Sequence, residues 1–422
     1  MSQYALTASI IATLLVACGG SQPPIGAPGA VLQSSRVLPS PSYKVLHRFS
    51  LAARRGARPY GALIDVNGTL YGTTYGFGGQ ALGTVYSISP SGEKRALYRF
   101  HGPDGEYPQG TLLNIHGTLY GTTTYGGATN DGVVFSVTAS GVETVLYSFK
   151  GGSDGANPYA GLINVNGTLY GTTYAGGDSA CYSGRGCGSV YSMTTTGTET
   201  VLHRFSGGRS DGEAPYASLV DFNGSLYGTT YSGGASGQGV VYTITTSGIE
   251  TVLYNFEGGS DGAYPKSSLI AVRGMLYGTT YYGGGRSNCR ADPGCGTVFS
   301  IKPSGEERVL YSFGGESDGS NPIAPLVDVK GTLYGTTFTG GTRGSKPCGY
   351  LDLGCGTVYS INDSGSETVL HSFKSGHDGA FPYAGLVSAG STLYGTTSLG
   401  GGSSECNLGP GYGCGTVFAL TP

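Results

Sequence analysis

Short apolar runs alternate with glycine-rich turns along most of the chain, and one pattern of apolar and polar positions recurs about every fifty residues. Its clearest marker is Gly-Thr-Leu-Tyr-Gly-Thr-Thr, which occurs seven times in full or as a near copy. The Leu-Tyr pair of these copies begins at Leu70, Leu119, Leu169, Leu226, Leu276, Leu333 and Leu393. Repetition at this period is typical of solenoids and propellers.

Each repeat divides into four short β-strands, here called a, b, c and d. In the third copy the alternation predicts strand a over 160–165, b over 168–174, c over 189–194 and d over 199–205. Asn166-Gly167, between a and b, is a two-residue hairpin turn, because both residues tolerate a positive φ. Four antiparallel strands in a unit of about fifty residues indicate a propeller blade.

The two ends of the repeat region complement each other. Residues 43–49 have the pattern of a strand d without a, b or c before it, and the last repeat stops after a strand c at 415–420. We therefore predict an all-β fold, a seven-bladed β-propeller of four-stranded antiparallel blades, closed by the N-terminal strand pairing onto the last blade. Closure would remove an open sheet edge. Two smaller sheets or an open array are the alternatives.

The first residues predict export and a lipid anchor. Residues 5–16 form a largely apolar stretch too short to span a membrane, followed by a small residue and Cys18, as in a bacterial lipoprotein signal. We predict a signal peptide over 1–17, an acylated Cys18 heading a Gly/Pro/Ser-rich tether over 18–41, and the propeller over 42–422. The lipid would bind the membrane, outside the cytoplasm, at the outer membrane or cell surface. An ordinary secretory signal with a chance cysteine is the alternative.

The other eight cysteines fall into four local pairs, all in loops between strands b and c. These pairs are Cys181/Cys187, Cys289/Cys295, Cys348/Cys355 and Cys406/Cys414. An even number of cysteines in an exported chain predicts disulfides. Zinc sites, the alternative, use spacers of about two to four residues, which are shorter than those found here.

The charge pattern bears on partners. The net charge is −3, charged residues make up 12% of the chain, and no cluster of Lys and Arg could neutralise phosphates. We therefore expect no nucleic-acid partner. We also expect a monomer that needs no cofactor.

Several sequence blocks resemble a known repeat. They include the run starting at Pro158 (Pro-Tyr-Ala-Gly-Leu), the run starting at Gly239 (Gly-Val-Val-Tyr-Thr-Ile-Thr) and the run starting at Glu199 (Glu-Thr-Val-Leu-His-Arg-Phe). They are similar to the GloVer (Gloeo_Verruco) tandem repeat of "choice-of-anchor" bacterial surface proteins, and the likeness covers about 42–422. The resemblance implies surface display, with Cys18 as this chain's anchor. It brings no catalytic residues.

Two sets of residues on the loop-rich face are candidate ligand contacts. The first is the aspartate of Asp-Gly-x-x-Pro in six blades: Asp104, Asp154, Asp211, Asp261, Asp318 and Asp378. The second is the tyrosine that follows this proline in four blades: Tyr60, Tyr159, Tyr216 and Tyr383. Aspartates beside tyrosines could bind a sugar, whereas capped turns and packing between blades explain the same residues without a ligand.

Two classes of function remain. The first is a binding or scaffold propeller that holds a glycan, peptide or envelope protein on the loop-rich face. The second is an extracytoplasmic lyase or hydrolase that uses the aspartates. The blades are also similar to those of streptogramin-lyase propellers, which need His and Glu converging on a metal, and the sequence reveals no such cluster. Catalysis breaks repeat symmetry, so the first class is favoured, and we assign no metal ligands or catalytic residues.

Overall fold

A computed structural model describes residues 40–50, 56–76, 81–177, 181, 184–286, 289, 294–342, 348, 353–403, 406 and 413–422. The predicted signal peptide, Cys18 and most of the tether lie outside the described residues. Within that part of the chain, no helix is long and apolar enough to cross a membrane.

Thirty antiparallel strands and one short 3₁₀ turn, Gly152–Asp154, make up the described secondary structure. The first strand is β1 Ser42–Arg48, and blades one to three follow it: blade one has β2 Ile64–Val66, β3 Thr69–Thr74, β4 Thr84–Ile88 and β5 Lys94–Arg99; blade two has β6 Leu113–Ile115, β7 Thr118–Thr123, β8 Val133–Thr138 and β9 Glu143–Ser148; and blade three has β10 Ile163–Val165, β11 Thr168–Thr173, β12 Ser189–Thr194 and β13 Glu199–Arg204. Blade four has β15 Val220–Phe222, β16 Ser225–Thr230, β18 Val240–Ile244 and β19 Glu250–Asn255, and next to it the two-residue strands β14 Gly212–Glu213 and β17 Ser232–Gly233 pair with each other. Blade five has β20 Ile270–Val272, β21 Met275–Thr280, β22 Thr297–Ile301 and β23 Glu307–Ser312; blade six has β24 Val327–Val329, β25 Thr332–Thr337, β26 Thr357–Ile361 and β27 Glu367–Ser372; and blade seven has β28 Val387–Ala389, β29 Thr392–Thr397 and β30 Thr416–Thr421. The seven-bladed propeller is confirmed.

Hairpin turns between strands a and b follow the predicted geometry. Asn166 and Gly167 have φ of 52° and 88°, so both lie in the left-handed region that a type I′ turn requires. Even Arg273, at the position of Asn166, adopts φ of 49°. The predicted strand a over 160–165 is wrong at its start, since β10 begins at Ile163. There the carbonyl of Ala160 accepts from Thr122 Oγ1 of the neighbouring blade at 2.7 Å instead of joining a ladder.

Strand β1 closes the ring as predicted. It pairs with β30 in antiparallel register, with Tyr43 opposite Leu420 and Val45 opposite Phe418. The Phe49 amide then donates to the Gly415 carbonyl at 2.9 Å. Blade seven is therefore completed by residues from the opposite end of the chain, and β30 is paired on both sides like strand c of the other blades.

One aromatic contact recurs at all seven interfaces between neighbouring blades. A phenylalanine that follows strand d meets the aromatic side chain of strand c in the next blade, edge to face, with ring centroids 4.9–5.4 Å apart. The pairs are Phe49–Tyr86, Phe100–Phe135, Phe149–Tyr191, Phe205–Tyr242, Phe256–Phe299, Phe313–Tyr359 and Phe373–Phe418. The hydrophobic core is thus divided into seven clusters, each shared by two blades.

The four predicted disulfides are present. Cys181–Cys187, Cys289–Cys295, Cys348–Cys355 and Cys406–Cys414 have Cα–Cα separations of 5.0, 5.4, 5.2 and 5.2 Å. Each is confined to one loop between strands b and c. Disulfides persist in oxidising compartments, so these four indicate an extracytoplasmic protein.

Candidate functional site

The residues that follow the loop proline in the seven blades converge around the propeller axis, on the face where the d–a and b–c loops emerge. They line a shallow cavity of about 80 Å³, here called the axial mouth. Its seven ring positions are Tyr60, Gln109, Tyr159, Tyr216, Lys266, Ile323 and Tyr383. The four tyrosines predicted as ligand contacts are therefore brought together. Lys266 and Gln109 occupy the equivalent position in their blades, and the sequence analysis missed both.

A backbone hydrogen bond between neighbouring blades aims each of these residues at the axis. In blade three, the amide of Asn157, just before the proline, donates to the Asp131 carbonyl of blade two at 2.7 Å. Asn157 has φ of 55°, which turns the chain sharply inward. In four blades the accepting carbonyl belongs to the second cysteine of a disulfide, as with Phe381 and Cys355 at 2.8 Å. The disulfide-closed loops thus support the residues at the mouth.

The tyrosines of the axial mouth contact one another from several blades. Tyr159 stacks on Tyr216 with ring centroids 4.6 Å apart, and Tyr60 meets Tyr383 at 4.6 Å. The hydroxyls of Tyr216 and Tyr383 lie 3.4 Å apart and link blades four and seven. All four are half-buried, and burial is the main cause that raises the pKa of each hydroxyl. They therefore stay neutral and can still donate hydrogen bonds.

Lys266 places a positively charged ammonium group among the tyrosine rings of the axial mouth. Its Nζ lies 4.3 Å from the ring centroid of Tyr281, 4.9 Å from that of Tyr231 and 5.5 Å from that of Tyr216. Burial lowers the pKa of the Lys266 ammonium. Among the described residues, no carboxylate forms an ion pair with it. The mouth thus presents a partly desolvated cation beside flat ring faces, a combination that attracts an anionic group.

The six aspartates lie apart from the axial mouth and serve their own loops. Asp154 illustrates the pattern: its carboxylate accepts from the Lys150 amide at 2.8 Å and from the Tyr147 hydroxyl at 2.6 Å. Equivalent bonds hold Asp104, Asp211, Asp261, Asp318 and Asp378 to a backbone amide. The capped-turn interpretation therefore accounts for them. The tyrosines beside these aspartates come from strand d and are not those of the axial mouth.

A glutamate at the start of strand d in the next blade lies near each of five aspartates. Each of these glutamates has one oxygen, Oε1, that is shielded from solvent and has no hydrogen-bond partner: Glu143, Glu199, Glu250, Glu307 and Glu367. Burial, followed by repulsion from the neighbouring aspartate, raises the pKa of each to about 7. Five carboxylates at these interfaces thus favour the protonated form well above the usual range for glutamate.

These interfaces predict that stability falls as the pH rises. A folded-state pKa near 7, against 4.5 in the unfolded chain, means that the folded protein binds more protons between those values. The stabilising contribution of four glutamates is therefore fully present below about pH 4.5 and is lost as the pH rises through about 7; they are Glu143, Glu199, Glu307 and Glu367. The charged groups that act on them are Asp104, Asp154, Asp261 and Asp318, together with Arg204 and Lys150 beside Glu199.

Thermal unfolding measured at about pH 5 and about pH 8 checks this expectation, with the higher Tm at the lower pH. Replacing the same four glutamates by glutamine should remove most of the difference, because glutamine does not titrate. An equal difference in the fourfold variant would assign the effect to other groups.

The interface of blades three and four brings three potential metal ligands together. Where four of the other blades have a strand-d tyrosine, blade three has His203, and one potential ligand atom each from His203, Asp211 and Glu250 lies within 4.8 Å of the other two. The sequence analysis assigned no metal ligands and found no such cluster. Its members come from two adjacent repeats, and the replacement of tyrosine by histidine at position 203 was the available signal.

A family model described as the Gloeobacter/Verrucomicrobia repeat matches residues 29–184 and 182–409. The chain belongs to the Gloeobacter/Verrucomicrobia repeat family. This confirms the resemblance drawn from the repeated blocks. The axial mouth and the His203 cluster both lie on repeats of this family. No curated protein sequence matches the chain.

Among solved structures, this member of the Gloeobacter/Verrucomicrobia repeat family is similar to virginiamycin B lyase from Staphylococcus aureus, with 14% identity and a TM-score of 0.58 over 91% of this chain and 100% of the lyase. It is also similar to a gluconolactonase from Xanthomonas campestris, with 13% identity and a TM-score of 0.42 over 71% and 86% of the two chains. A luciferin-regenerating enzyme gives 12% identity and a TM-score of 0.43 over 91% and 96%. At 14% identity, the likeness to the lyase shows a shared fold and nothing more.

Proposed function

We propose that this protein is a lipid-anchored binding propeller of the bacterial envelope that holds a glycan with an acidic group at its axial mouth. The convergence of four tyrosines and Lys266 on the axis carries the proposal. The disulfides support the extracytoplasmic location, and Cys18 would supply the anchor at the outer membrane or cell surface.

Stacked tyrosines suit the apolar face of a sugar ring. Tyr159 and Tyr216 overlap nearly in parallel, with 13° between their planes, and their hydroxyls add donors at the rim of the mouth. A cavity of about 80 Å³ leaves room for a substituent between the rings, so the saccharide would lie across the mouth.

Lys266 would select the acidic substituent. Three tyrosine rings already surround its ammonium, which has given up part of its hydration to them. A carboxylate or sulfate on the sugar would complete the charge balance that the described residues leave open. The preference for an acidic over a neutral sugar would therefore depend on this one side chain.

Binding of neutral and uronate-containing oligosaccharides to the full chain, purified in mild detergent, tests the proposal by calorimetry. Tyrosine fluorescence offers a second readout, because the chain has 32 Tyr and no Trp. We expect uronate oligosaccharides to bind and Tyr159→Ala to weaken this binding by about 2- to 13-fold, since aromatic contacts contribute about 0.5–1.5 kcal/mol each. Lys266→Gln should abolish the preference for uronates and leave neutral binding unchanged.

Tyr147→Phe is the matched control, because Tyr147 lies at the rim beside Asp154 and its loss should leave binding intact. Failure of every oligosaccharide to bind, or equal binding by Tyr159→Ala, would contradict the proposal. Capture of an envelope protein in place of any sugar would point to the other partner class.

A further inference from the structure

We infer that His203, Asp211 and Glu250 form a zinc site that joins blades three and four at the rim of the propeller. His203 belongs to β13, Asp211 to the loop that follows it, and Glu250 begins β19 of the next blade. One potential ligand atom from each lies within 4.8 Å of the other two. None of these three residues lines the axial mouth, so the site does not depend on the proposed glycan.

Two potential ligand atoms of this cluster are buried and make no hydrogen bond. They are Nε2 of His203 and Oε1 of Glu250, both shielded from solvent. A buried polar atom without a hydrogen bond is costly, and a bound cation would satisfy both. Asp211 Oδ2 lies 3.5 Å from His203 Nε2, close to the separation of about 3.4 Å between ligands of a tetrahedral ion with bonds near 2.1 Å.

The third ligand is held in place by its own loop. The Ser206 amide and Oγ donate to Asp211 Oδ2 at 2.7 and 3.0 Å, and the Gly212 amide donates to Oδ1 at 2.7 Å. Only 11% of the Asp211 side chain and 21% of the His203 side chain are exposed. Hydrogen bonds to a ligating carboxylate fix its orientation, as the outer shell of a metal site does.

The donor set selects the class of metal. Calcium and magnesium prefer oxygen ligands alone, whereas an imidazole nitrogen with two carboxylates suits zinc, whose structural and catalytic sites use these atoms. Two carboxylates beside one imidazole also leave net negative charge, which a divalent cation balances. Zinc does not change oxidation state, which suits an oxidising compartment.

The other described interfaces between blades lack this combination of ligands. Four interfaces have a tyrosine in place of His203: Tyr98, Tyr147, Tyr254 and Tyr311. At the interface of blades six and seven, His371 and Asp378 recur, but Tyr43 stacks on His371 at 3.7 Å and takes the place of the glutamate. Within the described residues, only the His203 cluster combines histidine with two carboxylates in this way.

The full chain, purified in mild detergent and stripped with a chelator, tests the site by titration with Zn²⁺ and with Co²⁺. We expect one zinc per chain, a Tm that rises with the logarithm of zinc concentration, and visible absorption from bound cobalt. His203→Tyr should lose all three effects and still fold, because four interfaces already have tyrosine there. Ser206→Ala should weaken zinc by about 10- to 100-fold through the orientation of Asp211.

His371→Tyr is the matched control and should bind zinc like the unaltered chain. Equal zinc binding by the His203→Tyr chain would overturn the inference, as would the absence of any zinc-dependent rise in Tm. Since neither readout involves a saccharide, failure here is distinguishable from failure of the proposed glycan binding.

Discussion

Deletion of residues 1–49 is expected to lower the Tm far below that of a chain lacking only residues 1–41. The longer deletion removes β1, so the outer edge of β30 loses its ladder and exposes unpaired amides and carbonyls. It also removes Phe49, which is 1% exposed and packs on Tyr86 of blade one. Each large apolar side chain withdrawn from the core costs about 1.5–3 kcal/mol, and the ring would open at the blade seven–one interface.

Differential scanning calorimetry of the two truncated chains measures this effect. The single change Phe49→Ala should cost about 3–5 kcal/mol by itself, whereas Lys44→Ala, on an exposed position of the same strand, should be nearly neutral. Equal melting of the two truncated chains would mean that β1 does not close the propeller in solution.

Cys18→Ser is expected to move the protein from the membrane to the soluble extracytoplasmic fraction. The thiol of Cys18 is the group to which lipid would be attached, and serine cannot form the thioether. Loss of the acyl chains should therefore remove membrane binding almost completely, since each buried CH₂ contributes about 0.8 kcal/mol. Fractionation followed by immunoblotting measures the distribution.

Ser21→Ala is the control for this experiment, because it lies in the predicted tether and should stay with the membrane. Outer-membrane fractions should contain the unaltered protein, since Gly19 follows the cysteine in place of the aspartate associated with inner-membrane retention. An unchanged distribution of the Cys18→Ser chain would show that the cysteine is incidental.

The ring and its closure could be predicted from the sequence because both depend on local pattern. A strand d at 43–49 without its blade, and a last blade without strand d, leave one arrangement that pairs both edges. The four tyrosines of the axial mouth could be selected because each follows the loop proline, but their convergence on one axis was not predicted. Lys266 shares that position, but the repeated motif there is Pro-Tyr, so a lysine does not stand out from the pattern.

Contacts between repeats at the rim could not be predicted in this way. Glu250 is separated from His203 by almost a whole repeat, and only the packing of blade three against blade four brings them together. Such pairs depend on the angle between blades, which the pattern within one repeat does not specify.

The position of β1 also has a mechanical consequence. Ser42 is the first residue of the strand that completes blade seven, and the chain before it leads directly to Cys18. Any pull along that segment reaches the propeller at Ser42, which is paired with Thr421. With the proposed lipid at Cys18, the seven residues of β1 would also bear any load on the tether, and a force large enough to separate β1 from β30 would open the propeller.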